Sequence, residues 1–557
     1  MAALGDELVV LAKPSPRLRD RLSIYNPQRF MNDFLDPLPS HFNAAAYFVD
    51  RNLIRGKGDN IAFYAKDATY TYSQTRDLVQ RAANLLAELG VERENRIAIL
   101  LTNTPEFAFA FWGAIWLGAI PVPIVPNCSV EDVHYILQDS RAKVLLSDRD
   151  GYARIGQIDS PFLRHTLSID SDPATTTLRN RSFLSLLEEQ NHLPLPADTH
   201  EDEPAFWLYT SGSTGRPKGV IHHQKSIAIC DRAYGRGVLG LTEEDITYSV
   251  APLAFAYGLG NSLYLPMAVG AAAVLSSAGN AFDIIADIDR YKPTLFFGIP
   301  SIYANLLAVR DIAPLNVSSL RLCVSAAEQL PPIVWQQWRE AFGLEICEGI
   351  GTTEFLHIFL SNRPEACKPG TSGRPVPGYE MHIVDDSGQP QPANAIGNLE
   401  VKGDSLMLGY WNRLSETRAA LCGNTMRTGD KYIRDEEGYF KFMGRKGDLF
   451  KANGQWISPL EIEEVLLQHP DILEVAIAPE SENGRQLTRI VAHIGLKPER
   501  RASPALEKNI CQFAKQKLPH FKAPQILRFV DRLPRTSTGK IHRQSLRGTT
   551  NFPTPQS

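Results

Sequence analysis

Twenty consecutive residues, Phe107 to Pro126, carry no charged or strongly polar side chain. A run of that length is enough to cross a bilayer as a helix. Its second half, however, holds Gly118, Pro121, Pro123 and Pro126, and prolines remove backbone donors and break helices. The reading that fits is a buried helix over about Phe107–Leu117 running into a buried strand, with no membrane partner. Such a segment needs a core that covers it on every side. With 557 residues the chain can supply one, and it is long enough to divide into at least two domains.

The surrounding pattern agrees. Arg96–Leu101 reads as a strand, Pro105–Leu117 as a helix and Ala142–Leu146 as another strand. Ala272–Leu275 and Thr294–Phe297 repeat the strand pattern, with a helix over Phe282–Tyr291 between them. Alternation of this kind predicts an α/β fold of mostly parallel sheets covered by helices. The pattern changes after Asp430. Tyr432–Phe442 reads as a hairpin turning at Glu437–Gly438, and Gly444–Gly454 as a charged, glycine-flanked linker. Beyond it the chain predicts a helix over 459–468, strands over 473–478 and 489–495, a helix over 505–517 and a strand over 525–530. The expected division is an N-terminal arm over 1–40, a large domain over 41–446 and a small α+β domain over 447–557.

Charge excludes some partners. The 58 Lys and Arg against 62 Asp and Glu give a net −4. That is no footprint for nucleic acid or an anionic membrane surface, so a polyphosphate would be held by local groups. The seven cysteines include no CxxC and come no closer than 20 residues apart, at Cys347 and Cys367. This argues against structural zinc and predicts free thiols in a reducing cytoplasm. The first twenty residues lack the basic start and the long apolar stretch of a secretory signal.

The sharpest chemical feature is Leu208-Tyr209-Thr210-Ser211-Gly212-Ser213-Thr214-Gly215-Arg216-Pro217-Lys218-Gly219. An apolar run feeds a loop of hydroxyls and glycines that ends near a lysine. Glycines let backbone N–H groups close on an anion, hydroxyls add donors and Lys218 adds charge. The spacing differs from a Walker A loop. Composition alone leaves a flexible surface loop open.

In its order of motifs the chain resembles the adenylate-forming superfamily of acyl- and aryl-CoA ligases, luciferases and peptide-synthetase adenylation domains, over about residues 40–545. The resemblance implies a large α/β domain with a β-barrel-like subdomain and a small mobile α+β domain. It also implies ATP, Mg²⁺ and coenzyme A as reactants or cofactors. By it, Thr210, Ser211, Gly212, Ser213, Thr214 and Lys218 would grip the ATP phosphates. In Gly349-Ile350-Gly351-Thr352-Thr353-Glu354, Thr353 would meet the α-phosphate and Glu354 would hold Mg²⁺; Ile350 stands where the family usually has an adenine-stacking Tyr. Ala326-Ala327-Glu328 would line the adenine. In Thr428-Gly429-Asp430, Asp430 would accept the ribose hydroxyls, with Arg445 as a further donor. Lys540, in Pro534-Arg535-Thr536-Ser537-Thr538-Gly539-Lys540, would be the catalytic lysine. Gly447 stands at the family's hinge position, commonly Asp or Lys.

Asn43–Arg51, Phe255–Asn261 and Phe355–Arg363 resemble benzoate–CoA ligases and their substituted-benzoate relatives. That branch would place Ala256, Tyr257, Gly351, His357 and Ile358 around a small aromatic acid and Lys451 near its carboxylate. Read alone, the residues also allow a buried, hydrogen-bonded core histidine at His357 and a solvent-exposed hinge-loop lysine at Lys451. The expected function is an aryl-CoA ligase for benzoate or a substituted benzoate such as anthranilate, with a lean toward anthranilate. The alternatives are an aryl-acid adenylating enzyme that loads a separate carrier protein, and a non-catalytic nucleotide-binding protein. Two expectations can be tested directly. Lys540→Ala abolishes pyrophosphate release with acid and ATP, yet still converts a supplied acyl-adenylate and CoA to thioester in a stopped assay. Gly447→Pro uncouples the two half-reactions, seen as a changed ratio of pyrophosphate to thioester.

Overall fold

The computed structural model describes residues 38–170, 181–210, 216–445, 447–452, 455–481, 488–535, 541 and 543–546. The apolar run forms the helix Pro105–Leu117 and the strand Ile120–Pro123, as expected. Pro105 occupies the first turn, and Gly118 ends the helix at φ 81°, a left-handed conformation that glycine adopts without strain. The helix is apolar on all sides and buried on all sides. Trp112 stacks on Phe48 with ring centroids 5.5 Å apart. Gly113 is the point of closest approach to the neighbouring helix Tyr72–Glu88: a Cβ there would lie 2.7 Å from Ala82 Cβ and 3.1 Å from Val79 O. The strand that follows pairs parallel with Arg96–Leu100 at the edge of a four-stranded sheet. An edge is where Pro121 and Pro123 can sit without removing a needed donor.

A second, nine-stranded sheet carries most of the chemistry-bearing segments. Its central strands, Ile61–Tyr64, Ala272–Val274, Ile246–Ser249, Leu295–Gly298, Leu322–Ser325 and Ile346–Gly351, run parallel. Strands such as Leu295–Gly298 and Leu322–Ser325 are buried throughout, which is why they read as continuous rather than alternating apolar runs. Thr69–Thr71 closes one end antiparallel, and Ile358–Ser361 followed by Arg374–Pro375 closes the other. Two further sheets are antiparallel. One has three strands and includes Pro204–Thr210 and Lys218–His223; the other has five and includes Thr425–Arg434 and Phe440–Arg445.

The predicted hairpin pairs Arg434 with Phe440 around Glu437–Gly438. The C-terminal elements also match: helices Pro459–Leu466 and Pro504–Lys517, and strands Ile472–Ser481, Thr488–Leu496 and Ile526–Phe529. Their side chains, with Phe450 and Ile457, build a core cluster of their own. The segment read as a linker contains more structure than expected, because Phe450–Ala452 pairs with Gln455–Ile457. Within it, Gly444 rather than Gly447 needs to be glycine. Gly444 has φ 121° and a Cβ would meet Leu449 Cδ1 at 2.8 Å, whereas a Cβ on Gly447 would meet nothing within 4 Å. Among the described residues no helix is long and apolar enough to cross a membrane.

The crossing at Gly113 gives a stability test. Gly113→Val is expected to destabilise the chain by about 1–3 kcal/mol through overpacking, read as a lower urea midpoint. Gly279→Ala, where a Cβ meets open space, leaves the midpoint unchanged.

Candidate active site

The strands Pro204–Thr210 and Lys218–His223 pair antiparallel, with Thr210 opposite Lys218. They form the two sides of the phosphate-loop sequence, and Lys218 therefore stands on a strand rather than in the loop. Ser211, Gly212, Ser213 and Thr214 lie outside the described residues, as does Lys540. Lys218 Nζ sits 4.7 Å from the centre of the Tyr410 ring, a cation–π contact. The Tyr410 hydroxyl donates to Glu354 Oε1 at 2.7 Å. Burial, reinforced by the Glu354 charge, raises the Tyr410 pKa well above the usual phenol range, so Tyr410 remains a donor. Lys218, Tyr410 and Glu354 thus meet although 192 residues separate the first from the second.

Glu354 lies in the single turn Thr353–Phe355, just beyond the strand Ile346–Gly351. That turn is fastened from outside. His222 Nε2 donates to Thr353 O at 2.9 Å, Met407 N to Glu354 O at 2.8 Å and Ser405 Oγ to Phe355 O at 2.9 Å. The buried His222 ring stacks on Phe206, and burial lowers its pKa to about 3. Neutral imidazole with its proton on Nε2 is the form this bond requires. Gly349 and Gly351 lie on the same strand. A Cβ on Gly351 would fall 2.1 Å from His357 O, so the chain can fold back here only at a glycine. Ile350 is half-buried and packs on the main core.

Asp430 is buried and lies at an irregularity of the strand Thr425–Arg434, where pairing shifts between Asn398 and Glu400. Gly429, at φ 80°, makes the bulge. The motif is therefore not a surface turn. Arg445, opposite Asp430 on the next strand, brings Nε within 3.4 Å of Asp430 Oδ1. Ala326 is buried at the end of the strand Leu322–Ser325, Ala327 has φ 72°, and Glu328 is half-buried. A left-handed alanine is a strained conformation that the surrounding structure must hold in place.

Around His357 the structure gathers the residues expected to enclose an aromatic acid. Its ring lies 5.1 Å from that of Tyr234, 6.1 Å from Tyr257 and 6.1 Å from Tyr264. A Cβ on Gly260 would lie 2.3 Å from it. Ala256 and Tyr257 open the short helix Ala256–Leu259, and Ile358 begins the strand after His357. The Tyr257 hydroxyl donates to Gly298 O at 3.3 Å. His357 is buried, neither ring nitrogen makes a hydrogen bond of ordinary geometry among the described residues, and burial, partly offset by the Tyr257 backbone, lowers its pKa to about 3. The hydroxyls of Ser325 and Thr352 are also buried without a hydrogen-bond partner among the described residues. The backbone of Lys451 lies in the strand Phe450–Ala452; its side chain lies outside the described structure. Tyr410, His222 and Tyr234 carry no spacing signal of their own, and their placement emerges only from the fold.

The strand-bordered phosphate-loop sequence, a fastened acidic turn and a buried aspartate on a bulged strand together define an adenylate-forming fold. The chain belongs to the AMP-binding enzyme family, which it matches over residues 50–411, with the AMP-binding enzyme C-terminal domain matching residues 461–540. It is 40% identical over 511 residues to a 4-hydroxybenzoate–CoA/benzoate–CoA ligase of Rhodopseudomonas palustris, covering 91% of this chain and 94% of that one. It superposes with TM-score 0.86 on an anthranilate CoA ligase solved with anthranoyl-AMP, at 37% identity, over 91% of this chain and 97% of the other. A benzoate CoA ligase of Burkholderia xenovorans superposes with TM-score 0.82 at 35% identity, over 91% of this chain and all of the other.

The two buried histidines give a test. Both have folded pKa values below the ordinary value of about 6.5. The unfolded chain therefore takes up the proton first, and their contribution to stability declines as pH falls below about 6.5. Side-chain NMR is expected to show His222 and His357 neutral from pH 8 to pH 5.

Proposed function

We propose that this chain is an ATP-dependent aryl-CoA ligase that converts benzoate or a substituted benzoate to its aryl-adenylate and then to the CoA thioester, releasing pyrophosphate and AMP. The observation that carries this reading is the joining of Lys218, Tyr410 and Glu354 at 4.7 Å and 2.7 Å beside the phosphate-loop strands. The aromatic enclosure around His357 supplies the acid pocket. Relatives named for benzoate, hydroxybenzoate and anthranilate support the substrate class.

In the first half-reaction the acid's carboxylate attacks the α-phosphorus of ATP. Thr210, the loop 211–214 and Lys218 hold the phosphates and lower the repulsion between the approaching anions. Asp430 accepts from the ribose hydroxyls, since two carboxylate oxygens suit a cis-diol, and Arg445 orients it. Ala326, Ala327, Glu328, Gly349 and Ile350 border the adenine. Thr353 meets the α-phosphate, and Lys540 stabilises the charge that grows there. Ala256, Tyr257, Gly351, His357 and Ile358 enclose the ring, and Lys451 receives the carboxylate.

Glu354 fits Mg²⁺. It is a hard oxygen donor on a fixed turn, and no cluster of three or more potential ligands occurs among the described residues. That suits an ion held by one carboxylate together with substrate phosphates. When bound, the ion supplies charge neutralisation at the phosphates. In the second half-reaction the domain over 447–557 turns about the Gly444–Gly454 segment, and the CoA thiol attacks the acyl carbon and expels AMP. The free thiols of all seven cysteines support a cytoplasmic setting.

Incubating the enzyme with MgATP, CoA and a panel of benzoates, then identifying products by mass spectrometry, tests this reading. A CoA thioester of at least one benzoate is expected, with equimolar AMP. Aryl-AMP and pyrophosphate without thioester would move the acceptor to a carrier protein. No ATP consumption with any acid would overturn the reading. Tyr410→Phe, which removes the bond to Glu354, is expected to lower kcat/KM for ATP by about five- to tenfold, in line with about 1 kcal/mol or somewhat more for a hydrogen bond to a charged group.

A further inference from the structure

Cys347 and Cys367 lie with their Sγ atoms 3.2 Å apart, closer than two unbonded sulfurs ordinarily rest. Cys347 is 1% exposed on the strand Ile346–Gly351, two residues before Gly349. Cys367 is partly exposed on the segment after Ile358–Ser361. The segment is held in place by several hydrogen bonds. Asn362 N donates to Glu348 O at 2.8 Å, Asn362 Nδ2 to Thr371 O at 2.7 Å, and Lys368 N to Asn362 Oδ1 at 2.9 Å. Cys367 Sγ donates to Arg363 O at 3.3 Å. The backbone on either side of Cys367 is therefore fixed beside the strand that carries Cys347. Reaching a bonded separation of about 2.05 Å needs a closure of about 1 Å, within the reach of χ rotations.

We propose that Cys347 and Cys367 are a modification site, forming a reversible intrachain disulfide by exchange with a low-molecular-weight disulfide. Cys367, the accessible partner, attacks one sulfur of the reagent as thiolate, forming a mixed disulfide and releasing one small thiol. Cys347 then attacks the Cys367 sulfur and expels the second. The two protein thiols lose two electrons and two protons, and the reagent is reduced to two thiols. The hydrogen bond with Cys347, followed by burial, raises the Cys367 pKa, so thiolate is scarce and the exchange is slow. The link would tie the strand that carries Gly349 and Gly351 to the loop whose Lys368 pairs with Asp435 and Glu437. Cytosolic disulfides of this kind are characteristically transient or redox-sensing.

The test is incubation of the full-length enzyme with oxidised glutathione, followed by thiol counting and non-reducing peptide mapping. Five of the seven thiols are expected to remain, with a cross-linked peptide containing Cys347 and Cys367, and dithiothreitol restores seven. Cys347→Ser is expected to stop at a glutathione adduct on Cys367, and Cys367→Ser to form no cross-link. Retention of all seven thiols by the wild-type enzyme, a stable glutathione adduct on its Cys367, or a cross-link between other cysteines would overturn the proposal. The wild-type result stands without either variant.

Discussion

Glu354 is held at its side chain by the Tyr410 hydroxyl and at its backbone by Met407, while His222 and Ser405 fix the carbonyls on either side. These bonds reach from two segments far apart in sequence, one carrying His222 and the other Ser405, Met407 and Tyr410, and all point at one turn of three residues. The rest of the site depends on this arrangement. The same turn ends the strand that carries Gly349–Gly351 and begins the segment that carries His357, so fixing it sets the nucleotide side and the acid side relative to one another. Lys218 joins from the opposite strand through the face of Tyr410. A phenol that accepts a cation on its ring and donates a proton to a carboxylate keeps opposite charges apart without separating them by water.

How much of this was legible in the sequence follows from what each signal measures. Apolar periodicity reports burial. It located the helix Pro105–Leu117 to the residue and the C-terminal elements within one or two, except the strand Ile472–Ser481, which runs three residues further than expected. Where a strand begins in a parallel sheet is set by pairing, so Val144 rather than Ala142 starts its strand because pairing with Ile97 begins there. The linker hid a strand pair because Phe450–Ile457 interleaves apolar and polar residues around a glycine, which reads as a loop until a core is present for Phe450 and Ile457 to join. Gly447 stood out by position in a motif. The glycine that the backbone requires, Gly444, is recognised only from its φ and its contact with Leu449.

The site divides in the same way. Thr353, Glu354, Asp430 and Lys218 were legible because each sits in an ordered string of residue types. Tyr410, His222 and Tyr234 were not, because each meets its neighbour in the site (Lys218, Thr353 and His357) from more than a hundred residues away and belongs to no local pattern. The bulge at Gly429 lies between these cases. The Thr-Gly-Asp string is visible, but a strand distorted by a left-handed glycine and a turn share the same three letters, and only the pairing of Asn398 with Lys431 and of Glu400 with Arg427 separates them.

Burial of His357 has a chemical consequence that its conservative appearance conceals. In the proposed pocket an aromatic acid enters as an anion, and its carboxylate must end beside the nucleotide. An imidazolium in the ring enclosure would offer that carboxylate a competing ion pair within a region of low dielectric, where opposite charges attract strongly. Three tyrosine rings and Gly260 keep water from the imidazole. The cost of an unsolvated charge then holds it neutral at physiological pH. A neutral imidazole offers one donor and one acceptor to a ring substituent but no net charge to a carboxylate. In the proposed reading, orientation of the acid is left to Lys451, and a pocket that selects the ring without charge can discriminate between substituents without binding the acid backwards.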